Sequence, residues 1–166
     1  MSYLRPILSI LCILILGYSC KKAKGTDADL LSMAEETEGF TWYKFNDAIL
    51  EKSTGSAHPQ SLLRTKYNAT ASSALDEEGK VTEGTVFPDG SLIVKELYDD
   101  ENTIGRWAIL YKQSNHEDAD DNGWVWGYIN GDRSVAAPAS NKGEACISCH
   151  SQSENIDYTL MNKYFP

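Results

Sequence analysis

The sequence predicts one α+β domain in which extended segments form a sheet and a few short helices lie around it. Three observations predict it. Residues 61–67, 91–98, 106–112 and 124–129 read as strands by alternation or by apolar and aromatic content. Turn chemistry separates them, with Phe87-Pro88-Asp89-Gly90 before the second and an Asp- and Asn-rich loop before the fourth. The helical stretches are brief, and the 166 residues leave enough chain for a single core once an N-terminal leader is subtracted.

Charge narrows the function classes. A formal net charge of −9 and a pI near 4.7 exclude a nucleic-acid binder, which needs clustered Lys and Arg to neutralise phosphates. A cationic or neutral redox partner, or a small substrate, fits better.

Residues 1–19 read as a lipoprotein signal peptide. Arg5 supplies the positive end, and Ile7 to Leu16 form an apolar run too short to span a bilayer. The run closes on Leu16-Gly17-Tyr18-Ser19-Cys20, where a small residue precedes a cysteine, as in a bacterial lipobox with its leucine one position early. Cys20 is the expected lipid anchor, and an ordinary secretory leader cut nearby is the alternative. The remaining cysteines favour the anchor, because Cys12 leaves with the leader and Cys146 and Cys149 have a use of their own.

Residues 20–35 are assigned to a tether and 36–166 to the folded domain. Positions 21–29 are polar and aperiodic. Leu30, Leu31, Met33 and Ala34, followed by acidic residues, suggest a short helix. Phe40, Trp42, Tyr43 and Phe45 are expected in the core. Thr54 to Pro59 reads as a loop. Ser61 to Tyr67 then places Leu63, Thr65 and Tyr67 on one face and Leu62, Arg64 and Lys66 on the other. Asn68 caps a short helix over Ala69 to Leu75, ended near Gly79.

In the next strand Ile93, Lys95 and Leu97 share one face, so Lys95 either snorkels to the edge or points into a pocket. Arg106 to Lys112 is apolar on both faces and reads as a central strand, paired with Trp124 to Ile129. The loop between them, Asp118 to Gly123, imitates the start of a calcium-binding EF-hand loop. Ile129 stands where that loop needs a bidentate glutamate, so the segment reads as a solvated hairpin turn.

Chemistry concentrates near the C-terminus, in Cys146-Ile147-Ser148-Cys149-His150. Two thiols three residues apart with an imidazole immediately after are what covalent haem c attachment requires. The thiols add to the haem vinyl groups, and His150 is the axial ligand of the iron. A zinc site lacks a second cysteine pair, a thioredoxin-like pair belongs after an early strand, and a disulfide across two residues is strained. Haem c is attached outside the cytoplasm, which agrees with the leader and places the protein in the periplasm or cell envelope. Only sixteen residues follow His150, so Met161 is too close to close the far side of the iron. Met33, His58 and His116 are the other candidates and none has a distinctive sequence setting. An open distal position, suited to small nitrogenous ligands or gases, is therefore expected.

Together Arg64-Thr65-Lys66-Tyr67, the run Phe87-Pro88-Asp89-Gly90-Ser91-Leu92-Ile93-Val94-Lys95-Glu96-Leu97, the Cys146 to His150 motif and the ending Tyr164-Phe165-Pro166 resemble the cytochrome P460 family over roughly residues 40–166. The resemblance also takes in the related β-type cytochromes c-prime. It implies a predominantly antiparallel β-sheet with a few helices, a homodimer, and one five-coordinate haem c per domain. Family members of the first kind oxidise hydroxylamine and carry a lysine bonded to the haem macrocycle, and Lys95 stands in the matching position. Those of the second kind lack the bond and bind nitric oxide or carbon monoxide. A simple electron-transfer module is a third possibility. Lys95 favours the first, with electrons passing to an external acceptor. Arg64 is placed at the site as a residue facing inward or supporting a haem propionate, or else is a surface arginine. Where the family has a distal aromatic near this strand, the chain has the polar His58-Pro59-Gln60, which implies a wetter pocket.

Overall fold

Alternation along the extended segments gives each strand two faces, and the structure covers both faces of the central strands. The structure, a computed structural model, describes residues 22–166, so the signal peptide and Cys20 lie outside the described residues. In chain order the elements are α1 (Thr26–Glu35), β1 (Thr41–Trp42), β2 (Leu50–Glu51), β3 (Leu62–Tyr67), α2 (Ala69–Ser72), β4 (Leu92–Asp100), β5 (Thr103–Lys112), β6 (Trp124–Asn130), β7 (Val135–Ala137), α3 (Glu144–His150) and α4 (Met161–Tyr164). The strands form one antiparallel sheet in the order β1-β3-β4-β5-β6-β7, and β2 also pairs with β3. The α+β, mainly antiparallel class is as the sequence predicts.

Each face carries its own core. On one, Leu30, Leu31 and Ala34 of α1 pack with Val94, Ile109, Val125 and Ile129. On the other, Leu63, Tyr67, Ile93, Leu97, Leu110, Trp124 and Trp126 meet Phe87 and Met161. Burying both faces is why β4, β5 and β6 are apolar almost throughout. The first of these cores corrects the tether: residues 26–35 are a helix docked on the sheet. Burial of two leucines and an alanine outweighs the polar sequence around them.

Local chemistry sets the remaining elements. Asn68 Oδ1 accepts from Ala71 N at 2.9 Å as the cap of α2, and also from Leu92 N at 3.0 Å, which ties that helix to β4. The aromatic run divides: Tyr43 is buried, whereas Phe45 is 60 % exposed. Lys44 and Phe45 have φ of 54° and 53°, and this reversal turns the second ring outward, contrary to its predicted core position. The β5–β6 loop is a hairpin connection. In it Asp120 accepts from Asn122 N, Trp124 N and Trp126 Nε1 at 2.8–2.9 Å, so its carboxylate is committed to the turn.

Candidate haem site

Antiparallel register assembles the floor of the site. Thr65, Lys95, Ala108 and Tyr128 stand in one row across β3, β4, β5 and β6, and Tyr67, Ile93, Leu110 and Trp126 in the next. Because side chains alternate, all eight point to the same side, away from α1. Over them lie α3 and the loop that joins β2 to β3. Between floor and cover is a cavity of about 270 Å³ whose chemistry comes from His58, Lys95, Cys146, Cys149 and His150. Ala108 keeps the floor low between Lys95 and Tyr128.

α3 presents the motif as the spacing requires. Positions 146, 149 and 150 are related by i, i+3 and i+4, which puts both thiols and the imidazole on one side of a helix. Both cysteines are free; Cys146 is half-buried and Cys149 exposed. Burial, with a smaller effect of Cys149, raises the Cys146 thiol above its ordinary pKa. Gly143, the residue before α3, has φ 73°, and a Cβ there would lie 2.6 Å from the Trp126 ring. Only glycine satisfies both conditions. Trp126 in turn stands edge-on to His150, with ring centres 5.3 Å apart.

His150 is oriented from the C-terminal segment. Its Nδ1–H donates to the Tyr158 carbonyl at 2.7 Å; a carbonyl only accepts, so Nε2 keeps its lone pair and is the atom available to a metal. That carbonyl is held through its neighbour. Asp157 accepts from Phe87 N at 2.9 Å, Trp124 Nε1 at 3.0 Å and Lys112 Nζ at 3.1 Å, locking the segment to the sheet. Burial above all, and to a lesser degree the Lys95 charge, lower the His150 pKa despite the opposing bond to Tyr158. A neutral imidazole is the form that binds a metal.

Lys95 points into the cavity, as one of its two sequence readings requires. Its ammonium has no hydrogen bond or ion pair among the described residues, and burial pushes its pKa down to about 8. Arg64 does not join it. It lies on the opposite face of β3, its Nε 2.7 Å from Glu96 Oε2 and its guanidinium 4.2 Å from the Trp42 ring centre. This corrects its assignment to the site: the neighbours Thr65 and Tyr67 face the cavity, so alternation directs residue 64 away from it.

His58 does enter the cavity. Its Nδ1 is 3.1 Å from Tyr128 Oη, and its ring centre is 6.3 Å from that of His150. Burial first, then the charges of Lys95, His150, Arg106 and Lys52, hold its pKa down at about 3. The other two histidine and methionine candidates are elsewhere. Met33 packs on the α1 side, and His116 Nδ1 accepts from Asp118 N within the hairpin loop. In sequence His58 is one of three candidates for the far side of the iron, and the exchange of an aromatic for His58-Pro59-Gln60 also marks the position.

The residues fit a haem. Two free thiols and a ligand-ready imidazole line one wall, and Ile93, Leu110, Leu160 and Met161 supply apolar surface for a flat macrocycle. The Tyr67 hydroxyl is buried against the same cavity with no partner among the described residues. A sheet floor, a short helix carrying this motif and an apolar cavity between them define the class of protein, a haem-binding cytochrome. The family model for cytochrome P460 matches residues 38–161, and the chain belongs to the cytochrome P460 family. No curated protein matches the chain.

Proposed function

We propose that the protein is an exported cytochrome with one haem c, anchored by a lipid on Cys20 in the periplasm or cell envelope, that oxidises hydroxylamine or a related small nitrogen compound. A homodimer is part of the proposal. A bound haem would supply the redox chemistry for oxidising a small nitrogen compound, with an external acceptor as the sink for the electrons. The chain supplies the rest. Cys146 and Cys149 would hold the cofactor as thioethers and His150 Nε2 would ligate the iron, while the Tyr158 carbonyl keeps that imidazole oriented. Ile93, Leu110, Leu160 and Met161 would give the macrocycle an apolar bed, while His58 and Lys95 leave polar groups in the same cavity.

One observation carries the enzymatic reading: Lys95 is a cavity-facing amine with no counter-ion among the described residues, in the same cavity as the thiols and His150. Burial lowers the pKa of this amine to about 8, which favours the neutral, nucleophilic form far more than in an ordinary lysine. Bonding it to the macrocycle would replace one N–H and one C–H by a C–N bond, which requires an external two-electron oxidant such as a peroxide, reduced to two waters. The bond also disposes of a charge that is costly to bury.

Digestion of the holoprotein tests this. A peptide containing Lys95 should be linked through haem to the Cys146–Cys149 peptide, Lys95→Ala should separate the two, and hydroxylamine-dependent reduction of an artificial acceptor should fall with it. Separate peptides in the wild type would remove the enzymatic reading. Binding of nitric oxide or carbon monoxide, which the apolar walls favour, would then be the better account.

A further inference from the structure

Two imidazoles share this cavity, and only one of them belongs to the attachment motif. His58 and His150 have ring centres 6.3 Å apart and planes at 71°. Imidazole nitrogens bound to opposite faces of one metal, each at about 2 Å, put their ring centres roughly 6 Å apart. The two rings are also prepared alike. Each has its Nδ1 engaged by a fixed oxygen, the Tyr158 carbonyl for His150 and the Tyr128 hydroxyl for His58, and in each Nε2 has no partner among the described residues. A ring held through one nitrogen with the other free is how histidine is set to ligate.

The loop that carries His58 is built rather than loose. Lys52 N donates to Ser61 O at 2.7 Å, closing the loop at its base. Lys52 Nζ donates to the His58 carbonyl at 2.8 Å, and Tyr164 Oη to the Gly55 carbonyl at 3.0 Å. A Cβ at Gly55 would lie 2.5 Å from the Tyr164 ring, so glycine lets the loop press onto α4. Tyr164 Oη also accepts from Gln152 Nε2 at 2.9 Å, which links the loop to the residues just after His150. Tyr128 itself lies beneath the Arg106 guanidinium, 4.5 Å from its ring centre. Against this, the imidazole is retained by a single side-chain hydrogen bond, and it sits on a hairpin connection rather than in a strand.

We propose that His58 is a second, displaceable axial ligand, closing the iron opposite His150 until a small ligand takes its place. The proposal rests on haem attachment at Cys146 and Cys149 and replaces a permanently open distal face with a gated one.

The test uses holoprotein made with haem c maturation machinery. Wild-type ferric protein should be six-coordinate and low-spin, with the electron paramagnetic resonance of bis-imidazole iron. His58→Ala should convert it to a high-spin form, and added imidazole should restore the low-spin spectrum. Carbon monoxide binding to reduced wild type should saturate with gas concentration, because departure of His58 limits it; in His58→Ala the rate should rise linearly. Tyr128→Phe, which removes the Nδ1 partner and leaves the loop intact, should raise the limiting rate several-fold, and this variant serves if His58→Ala does not accumulate. A high-spin wild type, or a His58→Ala protein that remains low-spin, would overturn the assignment. Absence of covalent haem from wild type would instead remove the attachment reading beneath it.

Discussion

Replacing Glu96 by glutamine removes the carboxylate of a buried Arg64–Glu96–Lys66 cluster on the face of the sheet away from the cavity. Its side chain is 3 % exposed; Oε2 accepts from Tyr98 Oη at 2.6 Å and Arg64 Nε at 2.7 Å, and Oε1 is 3.2 Å from Lys66 Nζ. Lys66 is 1 % exposed, and its other partners are the Glu36 carbonyl and the Phe40 ring, 4.7 Å from Nζ. Glutamine keeps the shape but leaves this ammonium without a counter-charge, a loss of about 3–5 kcal/mol for a broken buried pair. At roughly 2 kcal/mol per molar urea the unfolding midpoint falls by about 1.5–2.5 M, read by far-ultraviolet circular dichroism of the holoprotein. The acid dependence has a definite sign. Burial raises the Glu96 pKa, but the hydrogen bonds from Tyr98 and Arg64 and the Lys66 and Arg64 charges outweigh it, and the net shift is downward. The stabilisation is therefore present above the unfolded value of about 4.3 and is lost as pH falls through the lower folded value. Wild type and variant should converge in acid, and adding Lys66→Met to the variant should recover much of the loss. A midpoint change below about 0.5 M, or a difference that persists unchanged in acid, would refute the cluster as the structure draws it.

Three further outcomes follow from individual positions. Arg64→Gln should cost about 1–2 kcal/mol in urea unfolding and leave the visible spectrum and gas binding unchanged, since the side chain bonds Glu96 away from the cavity. Gly143→Ala should lower the yield of haem-loaded protein and alter the near-ultraviolet circular dichroism, because the new methyl meets Trp126, which packs on His150. Cys20→Ser should abolish fatty-acid labelling and membrane fractionation; label that persists would show that the anchor lies elsewhere.

What could be read from sequence depended on how local the determinant was. Cys146, Cys149 and His150 are legible because the proposed attachment and ligation would require their spacing within about one helical turn, as α3 provides. The strands β3 to β6 are long enough for alternation to show, and the split of Thr65 and Tyr67 from Arg64 was legible too. Which side meets the cavity was not, because that depends on the pairing of Thr65 with Lys95. Two-residue strands such as β1 and β2 carry no period at all. Leu30, Leu31, Met33 and Ala34 suggest a short helix in the sequence, but its start at Thr26 and its docking are not legible there, because the buried side is only Leu30, Leu31 and Ala34 among polar residues and its stability comes from the sheet it covers. His58 is ninety-two positions from His150, and a loop histidine shows nothing of its partner until the hairpin and the C-terminal segment are packed together.

Covalent haem is the centre of the account, and extraction of the denatured protein addresses it most directly. Holoprotein made with haem c maturation machinery is treated with acidified organic solvent, and the pyridine haemochrome of the polypeptide fraction is recorded. One haem per chain should remain with the polypeptide, and Cys146→Ala with Cys149→Ala should release it to the solvent. Wild-type protein that carries no haem, or gives all of it up to the solvent, would contradict the account.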